Sequence, residues 1–580
     1  MLGETIRNRG TESADKGRVF IRFEDLKVTS EEFYRASIRY ARLFLAMKQT
    51  GPFHVGVLME NYPEYLYAFG GCALSGAVLV GMNYTQLGEQ LARNINHMDC
   101  QLLLTEPKYV PAVRDVLKDL QLIKEGRILV NTFHEDDELP SGFISIKGKL
   151  EGVRRAAPAE FEADPNFNIL PTDPLMVIFT SGTTGAPKGI MNSHAKFLGA
   201  GILINSRLCL TPEDIAYFSM PLFHSNSTFL SLMPALISGA GIAFRRRFSS
   251  HHWLDDVRSF GATAYSYVGK TMSYLLEIPP TPQDRDNSLR LAIGNGASGN
   301  VRVRFRERYG VERVIEMYGA TEAGATILSE PDDPLESVGA CPEYIRILNA
   351  EGKECPPAEF DEQGRMLNAE HAVGEIVRIT DIGLFESYYK NPEATNRKTR
   401  DGMFWTGDLG HVEVRQKNGE TERFLFFDGR TDDWIRYNGE NFPAEPIEKF
   451  AELYGPARIA AVYGIPCERG DDDVMCALIL KDGQVFDPSE FHRLLENEKD
   501  MPELWMPRYV RILQNPPITE TNKVIKRVLQ KEQVNIHKIS DLLYFRDKQS
   551  ATYVPFTMEH YCALVEQFRA QGRERFLNES

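Results

Sequence analysis

The chain has 580 residues, long enough for several packed units, and its 43% hydrophobic and 25% charged content is ordinary for a globular protein. Its 81 acidic side chains outnumber the 66 basic ones, giving a formal charge of −15 that argues against general nucleic-acid binding. The eight cysteines, at 72, 100, 209, 341, 355, 467, 476 and 562, form no Cys-x-x-Cys pair and no zinc-type cluster with histidine, so a reduced, cytoplasmic setting is expected.

The segment from Met1 to Gly10 is polar and lacks the apolar core of a secretory signal. Thr29-Ser30-Glu31-Glu32 resembles a capping box, and Phe33, Ala36, Tyr40, Leu43, Phe44 and Met47 follow at helical spacing. His54 to Met59 reads as a strand. The uncharged run Tyr65 to Tyr84 invites a membrane span, but Gly70, Gly71, Gly76 and Gly81 interrupt it and Asn61-Tyr62-Pro63 precedes it as a helix start. We read a buried helix ending near Gly76, then a short strand from Ala77 to Val80. Gln101 to Thr105 and Arg127 to Val130 add strands between helical stretches. This alternation predicts an α/β fold with mostly parallel sheets covered by helices. Glu135-Asp136-Asp137-Glu138 reads as a solvated loop. Beyond Asp408 the chain restarts with strand-like Ile459 to Tyr463 and Val474 to Leu480 and a helix from Pro488. The expected organisation is a large N-terminal domain of several subdomains over 1–431 and a smaller, mobile α/β domain over 432–580.

The most informative stretch follows the apolar run Leu175 to Phe179, which reads as a buried strand. It is Thr180-Ser181-Gly182-Thr183-Thr184-Gly185-Ala186-Pro187-Lys188-Gly189. Glycines let a backbone approach a ligand, and amides, hydroxyls and one lysine make a phosphate cradle. It is not a Walker A loop, because Lys188 is followed by glycine rather than Ser or Thr.

This loop resembles that of the adenylate-forming superfamily, which holds acyl-CoA synthetases, luciferase and the adenylation domains of peptide synthetases. Later stretches match in order and approximate spacing, so the resemblance covers nearly the whole chain. In Glu316-Met317-Tyr318-Gly319-Ala320-Thr321-Glu322 it implies that Tyr318 lies against adenine, Thr321 contacts phosphate and Glu322 helps hold Mg²⁺. Gly294-Asn295-Gly296-Ala297-Ser298 is similar to the strand-end loop beside adenine and the acyl carboxylate. Asp408, after Gly407, matches the ribose-binding carboxylate, Arg430 in Asp428-Gly429-Arg430 also reaches ribose, and Asp432 takes the hinge position. His224 in Met220-Pro221-Leu222-Phe223-His224-Ser225 falls where relatives gate the carboxylate site. Amino-acid-activating domains usually carry Asp there, so an amino-acid substrate is disfavoured. Pro517-Ile518-Thr519-Glu520-Thr521-Asn522-Lys523 resembles the motif of the catalytic lysine, with Thr521-Asn522 in place of Ser-Gly.

The resemblance is nearest to fatty acid transport protein-type very-long-chain acyl-CoA synthetases and carnitine-CoA-ligase-like enzymes. It rests on Phe248-Ser249-Ser250, Trp253 to Val257, Leu291 to Gly296, Gly439-Glu440-Asn441 and the late Leu543-Tyr544-Phe545 and Tyr553-Val554-Pro555. The N-terminal membrane segment of the eukaryotic transport proteins is not visible here. The implied activity is ATP-dependent activation of a lipophilic carboxylic acid, a medium- to long-chain fatty acid, through acyl-AMP to acyl-CoA. Its small-molecule partners are the acid, ATP with Mg²⁺, and coenzyme A, with Gly439, Glu440 and Asn441 lining the thiol channel. Alternatives are an acyl-AMP ligase without CoA transfer, a carnitine-type or steroid/bile-acid-type CoA ligase, and a lipid-binding or uptake protein. A homodimer and peripheral membrane contact are both compatible with this reading. Arg245-Arg246-Arg247 reads equally as a contact for anionic lipid or CoA phosphate and as a solvated strand end.

Overall fold

The structure is a computed structural model of the chain. It describes residues 1–12, 14–49, 51–133, 139–152, 169–180, 188–319, 322, 326–362, 366–379, 385–430, 434–437, 440–468, 472–498, 501–519, 524–547, 550, 552–571, 573–574 and 577. The chain forms two compact units: Met1–Gly339 with Ile379–Phe404, and Ala340–Arg378 with Trp405–Ser580.

The first unit carries two sheets. One runs in the order Ile144–Ser145, Ile128–Val130, Cys100–Thr105, His54–Leu58, Val78–Gly81, Pro174–Thr180 and Lys188–Ser193. It is parallel except for the last pair, an antiparallel hairpin. The other runs Ile327–Leu328, Arg313–Tyr318, Leu291–Asn295, Ala264–Val268, Ile215–Phe218, Gly241–Phe244, Val19–Phe23 and Leu26–Thr29, with antiparallel pairs only at its two ends. The predicted α/β class with mostly parallel sheets is what the molecule adopts.

The capping box is present: the Thr29 hydroxyl accepts from the Glu32 amide at 3.2 Å, and the Glu32 carboxylate accepts from the Thr29 amide at 2.8 Å. The helix Ser30–Met47 buries Phe33, Ala36, Tyr40, Leu43 and Phe44, each fully buried aromatic contributing roughly 1.5–3 kcal/mol. It packs on the helix Pro63–Ser75, which starts with Pro at N1 and stops at Gly76 in the left-handed region (φ 70°). Gly70 and Gly71 of the uncharged run belong to that packing. A Cβ at Gly70 would lie 2.1 Å from Ser37 Oγ, and one at Gly71 would lie 2.6 Å from Tyr40 Cβ. Among the described residues no helix is long and apolar enough to cross a membrane.

The sequence pattern names no helix at the N-terminal end, where the structure has one. Leu2–Thr11 buries only Leu2 and Ile6 among its apolar side chains, too few for a periodic signal. It is anchored instead by Arg9, whose guanidinium donates to the carbonyls of Ala235, Gly239 and Ala240 at 3.1, 2.8 and 3.2 Å.

In the second unit, Ile345–Leu348, Gly374–Arg378, Met403–Lys417 and Glu420–Arg430 are neighbours in one sheet. A second sheet runs Ala457–Pro466, Asp472–Leu480, Tyr509–Ile512, Leu542–Asp547 and Thr552–Pro555, with the helix Pro488–Asn497 between its second and third strands. Its core holds Phe491, Leu495, Val462, Cys476 and Tyr553. All eight cysteines are free thiols.

Candidate active site

The phosphate-type loop leaves the first sheet at Thr180 and returns at Lys188, and these two residues are register partners across the hairpin. Ser181, Gly182, Thr183, Thr184 and Gly185 lie outside the described residues, as do Thr321, Asp432, Gly439 and Lys523. The Thr180 end of the loop meets Glu322. Its Oε1 accepts from the Thr180 hydroxyl at 3.3 Å and from the Tyr388 hydroxyl at 3.0 Å. The Lys188 ammonium sits 5.3 Å above the centre of the Tyr388 ring, within cation–π range. Thr180 and Tyr388 therefore both donate to Glu322 while Lys188 faces the Tyr388 ring, so Glu322 and Lys188, singled out in the sequence, meet at a tyrosine that was not.

Tyr388 is fixed from its own side. Ile190 and Tyr388 form an antiparallel bridge, the Tyr389 amide donates to the Gly189 carbonyl at 2.9 Å, and Glu386 accepts from the Ser193 amide at 2.6 Å and from its hydroxyl. Ser193 also caps the helix His194–Leu208 through the Lys196 amide. On that helix, the Lys196 ammonium reaches the Glu322 carbonyl at 3.4 Å. Burial lowers Lys196 to about 8, against the pull of Glu386 and Glu322. None of Ser193, Lys196, Glu386 and Tyr388, two pairs far apart in the chain, is singled out by the sequence.

The donor set at Glu322, a carboxylate beside a hydroxyl, is hard oxygen chemistry and fits Mg²⁺ rather than a thiophilic metal.

A second cluster is built at the ends of the parallel strands Leu291–Asn295 and Arg313–Tyr318, paired at Gly294 and Glu316. The loop Gly296-Ala297-Ser298 turns there with Gly296 at φ +77°, and the Ser298 hydroxyl caps the helix Gly299–Tyr309 through the Val301 amide. Gly269 lets the neighbouring helix Gly269–Glu277 press on this turn, since a Cβ there would stand 1.7 Å from the Gly296 carbonyl oxygen. The Glu316 carboxylate holds the turn from beneath. Its Oε1 accepts from the Gly296 and Ala297 amides at 2.5 and 3.3 Å, and its Oε2 accepts from the Tyr267 hydroxyl at 2.8 Å, with Arg302 at 4.0 Å. Burial pushes Glu316 up to about 7 despite Arg302 and these donors. Glu316 thus organises the loop from inside the fold. Tyr318 is buried, Met317 is half-buried and Gly319 is exposed at the strand end.

His224 follows the strand Ile215–Phe218 and precedes a short helix, and its ring lies 4.5 Å from that of Phe223. Two residues on, Asn226 Nδ2 donates to the Tyr267 carbonyl at 2.9 Å and to Asn295 Oδ1 at 3.3 Å. This ties the His224 segment to the ends of the strands that carry the 296–298 loop. The next turn, Thr228–Leu232, is π-helical, a feature frequent at functional sites.

In the second unit, Asp408 and Arg430 are register partners across two antiparallel strands, with Arg430 Nε 3.5 Å from Asp408 Oδ1. Gly407 (φ +77°) turns ahead of Asp408, and its amide donates to Glu375 at 2.7 Å. His411, between Asp428 at 2.7 Å and Glu413 at 3.5 Å, is raised to about 9 by these carboxylates against its burial, which makes it a cation clamping the strand that ends in Arg430. Glu440 and Asn441 lie on the strand Glu440–Pro443, paired with Trp434–Tyr437.

A carboxylate, Glu322, at the Thr180 end of a glycine- and hydroxyl-rich segment and a glycine turn at the ends of parallel strands are parts of an α/β enzyme fold. The chain belongs to the AMP-binding enzyme family, whose model matches residues 10–389. It is 34% identical over 564 residues to a steroid-22-oyl-CoA synthetase of Rhodococcus jostii, covering 97% of this chain and 96% of that one. It is 36% identical over 488 residues to the medium/long-chain-fatty-acid–CoA ligase FadD17 of Mycobacterium marinum, covering 84% and 88%. The fold is shared with an anthranilate CoA ligase solved with anthranoyl-AMP, at TM-score 0.77 and 19% identity, covering 91% of this chain and 96% of that one.

Proposed function

We propose that this protein is an ATP-dependent, AMP-forming acyl-CoA synthetase that activates a lipophilic carboxylic acid, a medium- to long-chain fatty acid. The observation that carries the reading is the meeting of Thr180 and Tyr388 on the Glu322 carboxylate, with Lys188 over the Tyr388 ring, in a chain of the AMP-binding enzyme family.

In the first step a carboxylate oxygen of the acid attacks the α-phosphorus of ATP, and pyrophosphate leaves. The 180–189 loop, Lys188 and Thr321 hold the phosphates. Glu322 would hold Mg²⁺, which would neutralise phosphate charge there. Tyr318 and the Gly296–Ser298 turn, fixed by Glu316, flank adenine, and Asp408 and Arg430 hold ribose. Lys523 stabilises charge at the α-phosphate, and His224 borders the carboxylate. In the second step the CoA sulfur attacks the acyl carbonyl carbon, the single bond from that carbon to the bridging phosphate oxygen breaks, AMP leaves with the oxygen and its electron pair, and the thiol proton passes to solvent. Gly439, Glu440 and Asn441 line the thiol path, and Asp432 is the hinge of a lid domain over 432–580. The eight free thiols support a reduced, cytoplasmic setting.

The test is a panel of acids scored by pyrophosphate release with and without CoA. Fatty acids of six or more carbons are expected to exceed acetate and all amino acids in kcat/KM, because each buried methylene contributes about 0.8 kcal/mol. Acetate or an amino acid as the best substrate overturns the reading. A second reading, a steroid side-chain acid, is favoured by the near-full-length likeness to the Rhodococcus enzyme, and a C22 steroid acid belongs in the panel.

A further inference from the structure

Within the second unit, the two strands that carry Asp408 and Arg430 fall out of step beside that pair. Asp408 pairs with Arg430 and Leu409 with Gly429, but Gly410 pairs with Phe427. Asp428 is therefore an extra residue, a β-bulge, and a bulge bends its strand and re-aims the side chains next to it. Two glycines accommodate the bend. Gly429 stands at φ +117°, and a Cβ at Gly410 would lie 2.4 Å from the Phe426 carbonyl oxygen.

One side chain holds the bulge. His411 Nδ1 lies 2.7 Å from Asp428 Oδ2, and its Nε2 lies 3.5 Å from Glu413 Oε1. The side chains of His411, Asp428 and Glu413 are largely buried, at 8%, 17% and 7% exposure. The ring stacks on Phe426 with centres 4.9 Å apart. Ionised carboxylates only accept hydrogen bonds, so a ring between two of them satisfies both only with an N–H on each nitrogen, which is the imidazolium. Other charges stand further back. Arg415 Nη2 lies 2.5 Å from Glu413, and Glu445, at the start of the helix Glu445–Glu452, interacts through space with Asp428. The neighbouring strand Gly374–Arg378 presents only the apolar Ile376 at Gly410. Burial opposes the charged ring, but Asp428 and Glu413 outweigh it and raise His411 to about 9.

Arg430 lies two residues past the bulge, so the bend at Asp428 sets its direction. We infer that His411, as a cation on the bulge residue Asp428, is a positioning residue that aims Arg430 at the ribose hydroxyls of ATP. The inference rests on the acyl-CoA synthetase reading above and its ribose assignment for Asp408 and Arg430.

The test compares ATP with 2′,3′-dideoxy-ATP, which lacks only the two ribose hydroxyls, in pyrophosphate release by the full chain with its best acid. The ratio of the two kcat/KM values cancels the phosphate, metal and adenine contacts that both nucleotides make. The wild type at pH 7.5 is expected to favour ATP about a hundredfold, as two hydrogen bonds to charged groups imply. His411→Phe keeps a ring against Phe426 and removes both donors. It is expected to cut that preference about tenfold by raising the KM for ATP with little change in kcat, and to leave the KM for the dideoxy nucleotide within about twofold. Asp428→Ala is expected to give the same loss, and the double variant no more than either alone, because the two residues act as one unit. The wild-type preference should also fall about tenfold from pH 7.5 to pH 10, since the ring is a cation below about 9 and neutral above it. That profile needs no variant and decides the matter if His411→Phe fails to fold. Asp428→Ala should show no such fall. An unchanged preference in both variants, or a wild-type preference flat to pH 10, overturns the inference and leaves the synthetase reading standing. Losses that fall equally on the two nucleotides give His411 a purely structural role and overturn it as well. A wild type that uses both nucleotides equally overturns the ribose assignment together with the inference, and no acid-dependent pyrophosphate release from ATP overturns the synthetase reading itself.

Discussion

Glu316 carries a prediction in which sign and size both follow from the structure. Its carboxyl rises from 4.5 to about 7 because burial disfavours the charged form, even with Arg302, Tyr267 and two backbone amides favouring it. Each tenfold change in proton affinity is about 1.4 kcal/mol, so the ionised form costs at most about 3 kcal/mol in the folded state. The folded chain binds this proton more tightly than the unfolded one. Stability from this group is therefore complete below pH 4.5, falls as pH rises towards 7, and is constant above. Glu316→Gln keeps the shape and removes the titration. The amide oxygen can still accept from Gly296 and Ala297, and the amide nitrogen can donate to the Tyr267 oxygen while that hydroxyl keeps its bond to the Ile315 carbonyl at 2.9 Å. The variant is expected to match the wild type in thermal midpoint at pH 5 and to exceed it at pH 8, with the KM for ATP within threefold. Glu316→Ala leaves the loop amides and Tyr267 short of an acceptor and is expected to lose about 2–4 kcal/mol at both pH values. Thermal scans from pH 5 to 8 on the three proteins, with ATP kinetics at pH 8, decide it. A Gln variant as unstable as Ala at pH 8, or one folded normally with a KM for ATP raised tenfold, would show that the negative charge itself is required and would refute the loop-holding account.

Glu322→Gln is expected to fold and to lose at least a hundredfold in pyrophosphate release, with the deficit growing at limiting Mg²⁺; normal adenylation there would remove Glu322 from the metal site. Lys523→Ala should lose adenylate formation far more than thioester formation from supplied acyl-AMP, and equal losses in the two half-reactions would count against a charge acting only in the first. Asp432→Pro, which fixes φ near −65°, should complete single-turnover adenylation but transfer poorly to CoA; a folded variant with both rates intact puts the hinge elsewhere. Gly269→Ala should displace the Gly296 turn, costing about 1–3 kcal/mol and most of the adenylation rate. Gly199→Ala, in a helix where a Cβ meets nothing within 4 Å, should gain up to about 1 kcal/mol, and similar behaviour of the two variants would contradict the close-contact reading of Gly269.

What the sequence made legible is what short-range physics writes into it. A capping box followed by apolar residues at helical spacing gave the helix Ser30–Met47, and the strand before the phosphate-type loop was readable from Leu175 to Phe179 because a central parallel strand is apolar on both faces. The glycines of the 65–84 run argued against a membrane span, but the purpose of Gly70 and Gly71 lay across the interface, in Ser37 and Tyr40 of a different helix. The same limit governs the site. Glu322 is 142 residues from Thr180 and 66 from Tyr388, and Glu60 is 187 from Arg247. Nothing local marks Tyr388 as the group on which Lys188 and Glu322 meet, or Glu60 as the partner of Arg246 and Arg247, which read equally as a contact for anionic lipid or CoA phosphate and as a solvated strand end. A family pattern can nominate Glu322 and Lys188, because it records residues that face a ligand shared by many chains. The residues that aim them, Glu316 under its loop, Glu386 on Ser193 and Lys196 beneath the Glu322 carbonyl, face only this protein. Buried charges of that kind are costly unless paired, so each had to be matched by a partner that the topology, and not the neighbouring sequence, supplies.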